Sequence, residues 1–163
     1  MKLSISASAI QQEHVNRHPF NGVLTFVDRP SDKAPSGARG HRVILTRSAA
    51  LAALPTLLGM PVSIKDDGSG HEYRERCGII TDAEIVGDEL RVEGYLWKRD
   101  RPELLERIAK DKYGMSCEIA DGRVVDMRQT VWEIKQCVFS GAAIILASKA
   151  AYKSTSFTVK DVA

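Results

Sequence analysis

Short runs of apolar and β-branched residues recur along the chain and predict a protein rich in β-strands. The clearest pair is 78–85 and 89–97, which Gly87-Asp88 separates and whose second member alternates apolar with charged residues. This alternation is typical of a hairpin with one face on the core and one in solvent. Further runs of this kind predict strands at 22–27, 41–45, 61–64, 123–125, 131–134 and 138–146.

Two segments have the composition and spacing of helices. The first is an alanine- and leucine-rich run at 49–58, which Thr46 or Ser48 could cap and which Pro55 should end or kink early. The second covers 101–112 and carries an apolar stripe at helical spacing. Both helices lie between groups of strands, which is typical of a mixed domain.

The order of these elements predicts the fold class and the domain limits. Seven or eight short strands, with two or three inserted helices counting a closing turn at 147–152, favour an α+β fold: a mostly antiparallel β-barrel rather than a doubly wound sheet. The polar, weakly patterned residues 1–18 predict a flexible N-terminal arm. We expect one domain at 19–157 and a short tail at 158–163.

Composition narrows the function classes. The 163 residues carry a net charge of only +2 with interspersed signs, which predicts no nucleic-acid partner. No apolar run approaches the roughly 20 residues that cross a bilayer, so we expect no membrane partner and a cytosolic protein. No glycine-rich phosphate loop occurs, and we expect no cofactor. Three unclustered cysteines predict small buried side chains instead of a disulfide framework or a zinc site, at Cys77, Cys117 and Cys137.

Candidate chemistry centres on one histidine and one serine. His71 lies in a polar Gly/Ser/Asp loop, and Ser116 opens an extended segment after a glycine turn. A serine is a poor nucleophile until a neighbouring base takes its proton, so a serine enzyme would need such a histidine. By local sequence alone, an exposed loop histidine and a half-buried strand serine, neither with a chemical role, are the more ordinary interpretations. Acidic residues that could orient the histidine are plentiful and include Glu118, Asp126 and Glu133.

Two other arrangements of catalytic residues fit the sequence less well. The Gly-x-Ser-x-Gly elbow of α/β-hydrolases is not matched, because Glu118 stands where the second glycine would be. A metal site could be built from Asp66, Asp67 and His71. Adjacent carboxylates in a Gly/Ser loop are usually just solvated, so the metal site is the weaker hypothesis.

A series of short motifs, spread over about residues 19–157, adds to this interpretation. They are Pro19-Phe20-Asn21-Gly22-Val23-Leu24, Pro30-Ser31-Asp32, Gly37-Ala38-Arg39-Gly40-His41-Arg42-Val43, Leu58-Gly59-Met60-Pro61-Val62, Gly70-His71, Cys77-Gly78-Ile79-Ile80-Thr81-Asp82, Gly114-Met115-Ser116, Val138-Phe139-Ser140-Gly141-Ala142-Ala143-Ile144 and Lys149-Ala150-Ala151-Tyr152. With these motifs the chain resembles the prohead (capsid maturation) proteases of tailed phages and prophages, which share the fold of herpesvirus assemblin.

The resemblance implies a catalytic assignment. His71 matches the family's general base and Ser116 its nucleophile. The third family position, an acidic residue or a second histidine, aligns near Ser140, where this chain offers only a hydroxyl. Ser140 could therefore orient the imidazole, Glu118, Asp126 or Glu133 could take that place, or the pair could act as a dyad.

The resemblance also implies a biological role. We expect a serine endopeptidase that cleaves scaffold protein and the major capsid protein inside the assembling procapsid, in the host cytoplasm. A homodimer is one form in which it could act. The alternative is a catalytically inactive capsid-assembly or scaffold-binding module of the same fold.

Overall fold

A computed structural model describes residues 14–160 of the protein. Strands dominate it, and the only α-helices of this part of the chain are two short ones. In chain order the elements are β1 Arg17–Phe26, β2 Arg42–Leu45, α1 Arg47–Ala53, a 3-10 turn Leu54–Leu57, β3 Pro61–Ile64, β4 Arg76–Val86, β5 Glu89–Trp97, α2 Glu103–Lys110, β6 Tyr113–Val124, β7 Val131–Leu146 and β8 Ser156–Val159.

All eight strands belong to one curled sheet in the order β2-β7-β3-β4-β5-β1-β8, with β6 paired to the other edge of β7. The mostly antiparallel barrel predicted from the sequence is only partly right, because the sheet is mixed. Strands β2 and β3 both pair with β7 in parallel, whereas β6 pairs with it antiparallel. Helix α1 connects β2 to β3, and the two strands run in the same direction as β7.

Local signals predicted several elements closely. Strands β3 and β5 have the predicted bounds. Thr46 caps α1 by accepting a hydrogen bond from Ala49 N at 3.2 Å, and the α-helix ends where the 3-10 turn with Pro55 begins. Helix α2 is shorter than predicted, and 147–152 forms turns instead of a helix.

Predicted and observed strands differ most in the C-terminal third of the chain. The runs predicted at 131–134 and 138–146 form one continuous strand, β7. Strand β6 starts well before the predicted run at 123–125 and includes Ser116. Strand β8 has no counterpart in the prediction. The structure describes 14–160, so most of the predicted arm and part of the tail lie outside it, while β1 begins at Arg17.

The hydrophobic core fills the inside of the curl. Phe20, Leu24, Phe139 and Ile144 are almost fully buried there, and the rings of Phe20 and Phe157 pack with centroids 4.9 Å apart. A smaller apolar cluster of Ala38, Val43 and Trp132 lies beside it. Neither helix among residues 14–160 is long and apolar enough to cross a membrane.

His18 is a buried histidine on β1 that should make stability depend on pH. Burial, reinforced by the positive charge of Lys98, lowers the pKa of His18 below its ordinary 6.5, although a backbone hydrogen bond with Lys160 acts the other way. As pH falls below about 6.5, the unfolded chain therefore takes up this proton before the folded one does, and the free energy of unfolding decreases. We expect the free energy of unfolding of His18→Gln, measured with urea, to decrease less between pH 6.5 and pH 5 than that of the wild type.

The matched control is His14→Gln, which changes an exposed histidine of the same segment. It should keep the wild-type decrease in the free energy of unfolding. An unchanged pH dependence in His18→Gln would show that His18 is not the group responsible.

Candidate active site

Strand β6 places Ser116 and Glu118 on one face. Residues along a strand alternate sides, and the core side of β6 is taken by Tyr113 and Met115, which are buried. Ser116 and Glu118, two residues apart, therefore share the opposite face. Each is held by a cross-strand neighbour on β7, Ser116 opposite Ala143 and Glu118 opposite Gly141.

The loop at 65–75, between β3 and β4, brings His71 to this face. Strand β3 pairs with the edge of β7 opposite to β6, so the loop starts two strands away from Ser116. The carbonyl of Gly68 accepts a hydrogen bond from Leu146 N at 3.0 Å, which ties the loop to the end of β7. Gly68 has a left-handed φ of 64°, a conformation that favours glycine.

Two arginines anchor the two ends of this loop, Arg101 just before α2 and Arg107 within it. At its end, the Arg101 guanidinium contacts the Glu75 carboxylate, with 2.6 Å between Nη1 and Oε2. At its start, Arg107 donates a hydrogen bond to the carbonyl oxygen of Lys65. Both guanidinium groups are also 3.8 Å from the carboxylate of Asp66, a contact that contributes little because Asp66 is exposed. The His71 loop is thus held from both ends.

The imidazole of His71 lies between the hydroxyl and the carboxylate. Its Nε2 is 3.0 Å from Ser116 Oγ, and its Nδ1 is 3.2 Å from Glu118 Oε1. When Nδ1–H donates to the carboxylate, Nε2 is free to accept the proton of the serine hydroxyl. The imidazole is therefore within hydrogen-bond reach of both the hydroxyl and the carboxylate, the geometry that activates a serine.

The Glu118 carboxylate is buried and therefore depends on its polar partners. The side chain of Glu118 is 4% exposed and that of His71 is 18% exposed. A buried carboxylate needs partners that compensate for its lost hydration. Besides His71, Arg76 supplies one, with its Nη1 3.4 Å from the same Oε1 and its guanidinium packed over the ring of Tyr73. Arg76 was not predicted as a site residue, and no motif in the sequence marks it.

Gly141 leaves the space that the Glu118 carboxylate occupies. A Cβ added at Gly141 would lie 2.5 Å from Glu118 Oε2 and 3.2 Å from the carbonyl oxygen of Pro61. Real Cβ atoms do not approach other atoms to 2.5 Å, so the carboxylate would have to move. We expect Gly141→Ala to lower catalysis by Ser116 about 100-fold, since a shift of about 1 Å in a catalytic group costs that much.

Gly122→Ala is the control for Gly141→Ala. An added Cβ at Gly122 meets only Ile119 Cγ2, at the ordinary contact distance of 3.6 Å. The rate at which a serine-reactive probe labels Ser116 should fall in Gly141→Ala and stay near wild type in Gly122→Ala. Equal labelling rates in the two variants would show that the room at Gly141 does not serve the site.

The remaining candidates for the third position lie elsewhere. Ser140 falls at a bulge, since Glu118 pairs with Gly141 and Ile119 with Phe139, and it makes no hydrogen bond to His71 in the described part of the chain. The structure places Glu118 behind the imidazole instead. Asp126 forms a two-point contact with Arg128 at 3.0 and 3.1 Å, and Glu133 is exposed on β7. Within residues 14–160 neither contacts His71.

The hypothesis of a metal site at Asp66, Asp67 and His71 finds no support in the geometry. No group of three metal-ligating side chains occurs among residues 14–160. The Asp67 carboxylate accepts a hydrogen bond from Ser69 N at 2.9 Å, and both ring nitrogens of His71 already have partners in Ser116 and Glu118.

A cysteine adjacent to Ser116 could compete as nucleophile, but its chemistry is unfavourable. Burial raises the pKa of Cys117 to about 12, so the thiol stays protonated at neutral pH. Burial raises the pKa of Cys77 to about 12 as well, and that of Cys137 also rises. All three are free cysteines, and the hydroxyl of Ser116 is left as the candidate nucleophile.

Comparison with known proteins supports the fold. No protein-family model and no curated protein matches the sequence. Among solved structures, the chain is similar to a KSHV protease in complex with a hexapeptide phosphonate inhibitor, with a TM-score of 0.55 and 14% sequence identity over 89% of this chain and 66% of that one. The chain thus spans slightly less than two thirds of that protease. The likeness supports the assemblin-like fold that the sequence motifs predict, and at this identity it concerns the fold alone.

Proposed function

We propose that this protein is a serine endopeptidase in which Ser116 is the nucleophile, His71 the general base and Glu118 the residue that orients and stabilises the imidazole. The observation that carries the proposal is the continuous hydrogen-bonded chain from the Ser116 hydroxyl through His71 to the buried Glu118. The fold of a viral protease is consistent with it.

The chemistry follows from the positions of these groups. Ser116 Oγ attacks a peptide carbonyl carbon while its proton passes to His71 Nε2, and Glu118 stabilises the resulting imidazolium. The same proton then goes to the leaving amine as the C–N bond breaks, which leaves an acyl group on Ser116. Water, activated by His71 in turn, releases the acid and restores the hydroxyl.

We further propose that the substrates are scaffold protein and the major capsid protein, cut during maturation of a phage procapsid. This assignment rests on the motifs that resemble the prohead proteases, including Gly70-His71 and Gly114-Met115-Ser116. The alternative, an inactive assembly module, draws its support from the lack of an acidic residue near Ser140. Glu118, whose Oε1 is 3.2 Å from His71 Nδ1, supplies an acid from another strand and so favours the enzyme.

A fluorophosphonate probe tests the enzymatic proposal because it reacts only with an activated serine. Wild-type protein should gain one adduct, mapped by mass spectrometry to Ser116, and heat-denatured protein should gain none. Ser140→Ala is the matched control and should be labelled normally, whereas Ser116→Ala should not be labelled. A concentration series would reveal any requirement for a homodimer. Wild-type protein that stays unlabelled at every concentration would favour the inactive module.

The biological substrates need a separate assay. Purified scaffold and major capsid protein from the same phage or prophage locus should be cleaved by wild-type protein and left intact by Ser116→Ala. Labelling of Ser116 without cleavage of either would keep the endopeptidase and reject the procapsid role.

A further inference from the structure

An apolar cavity of about 270 Å³ lies next to Ser116. The chemical steps proposed for Ser116, His71 and Glu118 do not involve it. Its walls come from four strands that are distant in sequence, with Leu24 on β1, Leu45 on β2, Ile119 on β6 and Ile134 on β7. The cavity therefore lies between β1 and β6, two strands of the curled sheet that do not pair with each other.

The cavity reaches β6 on its core side, at Met115, Cys117 and Ile119, and along its free edge, while His71 and Glu118 do not line it. Ser116 and Cys117 both line it, although neighbouring side chains of a strand point to opposite faces. This is possible because β6 pairs with β7 alone among the described strands, so its other edge is free of strand partners. The exposed residues Ser36 and Gly37 also line the cavity, which shows where it opens to solvent.

Size and lining indicate what the cavity can hold. Its volume is just below the roughly 300 Å³ at which pockets for whole small molecules begin, so it suits one or two side chains. No charged residue is among those that line it. A charged side chain would lose its hydration there without gaining a partner, whereas an apolar one would gain by burial.

We infer that this cavity is a specificity pocket that takes a large apolar side chain of the polypeptide substrate, close to the bond that Ser116 attacks. The inference rests on the proposed function, since Ser116 in the wall is what relates the pocket to a peptide. It adds a substrate class: segments with a leucine- or phenylalanine-sized residue near the cleavage point.

Gly122 allows the pocket to be narrowed without disturbing the catalytic residues. It lines the cavity, is exposed, and an added Cβ would meet only Ile119 Cγ2 at 3.6 Å. Gly122→Phe should therefore add bulk at the pocket, and Gly122→Ala very little. Ile134→Phe adds bulk from the β7 wall and serves as a second variant. Val86→Phe adds bulk to the exposed hairpin end instead, and is the control.

The experiment measures kcat/KM on fluorogenic peptides in which each position around the cleaved bond carries leucine, phenylalanine or aspartate. We expect wild-type protein to prefer leucine or phenylalanine over aspartate at least 10-fold at one position, the scale on which apolar pockets discriminate. Gly122→Phe and Ile134→Phe should each reduce that preference about 10-fold. Val86→Phe should change neither this preference nor the labelling rate with a small fluorophosphonate. For the two pocket variants the readout is the ratio of kcat/KM between peptides, in which a general loss of activity cancels.

The two proposals fail in different ways. Normal labelling of Ser116, combined with no apolar preference or with a preference that both phenylalanine variants leave intact, would overturn the pocket and keep the peptidase. Wild-type protein without labelling would remove the peptidase and, with it, the pocket that depends on it.

Discussion

Replacing His71 with alanine is expected to lower the rate of Ser116 acylation by a factor on the order of 10⁴ to 10⁶. Loss of the base from a serine protease costs up to about 10⁶ in kcat, because the hydroxyl must then attack with its proton in place. In this protein Nε2 of His71 is 3.0 Å from Ser116 Oγ, and no other histidine contacts that hydroxyl within residues 14–160. Stopped-flow or time-course labelling with a fluorophosphonate measures the effect directly.

The control for this variant is His14→Ala, which removes an exposed histidine far from the site along the chain. Its acylation rate should equal that of the wild type, and both variants should remain folded at the assay temperature by circular dichroism. An acylation rate in His71→Ala within 10-fold of the wild-type rate would mean that another group takes the proton, and the assignment of His71 would have to be withdrawn.

Local patterns were enough to predict much of the architecture. Alternation gave β5 its observed bounds, and the preference of threonine and serine for helix N-caps gave Thr46 as one of two candidate caps of α1. The mixed pairing around β7 was not predictable in this way. Whether β2 and β3 run parallel or antiparallel to β7 depends on which strands meet in space, and periodicity within a strand carries no information about its partner.

The alternation of side chains along a strand bears on the candidate third residue, Glu118. Ser116 and Glu118 are two residues apart, so a strand through them must present both side chains on one face. That spacing could have favoured Glu118 over Asp126 and Glu133, which were equally acceptable by residue type, and over Ser140, which the family resemblance suggested. Ser140, the position that the family resemblance suggested, lies at a bulge of β7, and a bulge changes which residues face the partner strand.

Other parts of the site depend on contacts that no local signal encodes. Arg76 reaches Glu118 from β4, and Gly141 leaves room for the carboxylate from β7. The histidine loop is anchored by Arg101 and Arg107, which belong to a different segment again. Each of these residues has an ordinary context in the sequence, and each becomes interpretable only when the sheet brings four segments together.

Glu118→Gln is the second large effect that we expect. The amide keeps the size of the side chain but removes the negative charge that faces the imidazolium formed during catalysis. Because Arg76 and His71 share one carboxylate oxygen, a glutamine can still accept from one of them, so the fold should survive. In a serine protease the corresponding acid-to-amide change lowers kcat about 10⁴-fold. We expect kcat to fall 10³- to 10⁴-fold while KM changes little.

Three further variants separate this role from a structural one. Glu118→Asp keeps the charge at a shorter reach and should restore part of kcat, which a loss of packing alone would not explain. Asp126→Asn and Glu133→Gln change the rival acids and should leave kcat within about 3-fold, the size of effect usual for exposed residues away from a site. A full kcat in Glu118→Gln together with a large loss in Ser140→Ala would transfer the third position to Ser140. The buried contact between His71 and Glu118 would then be structural only.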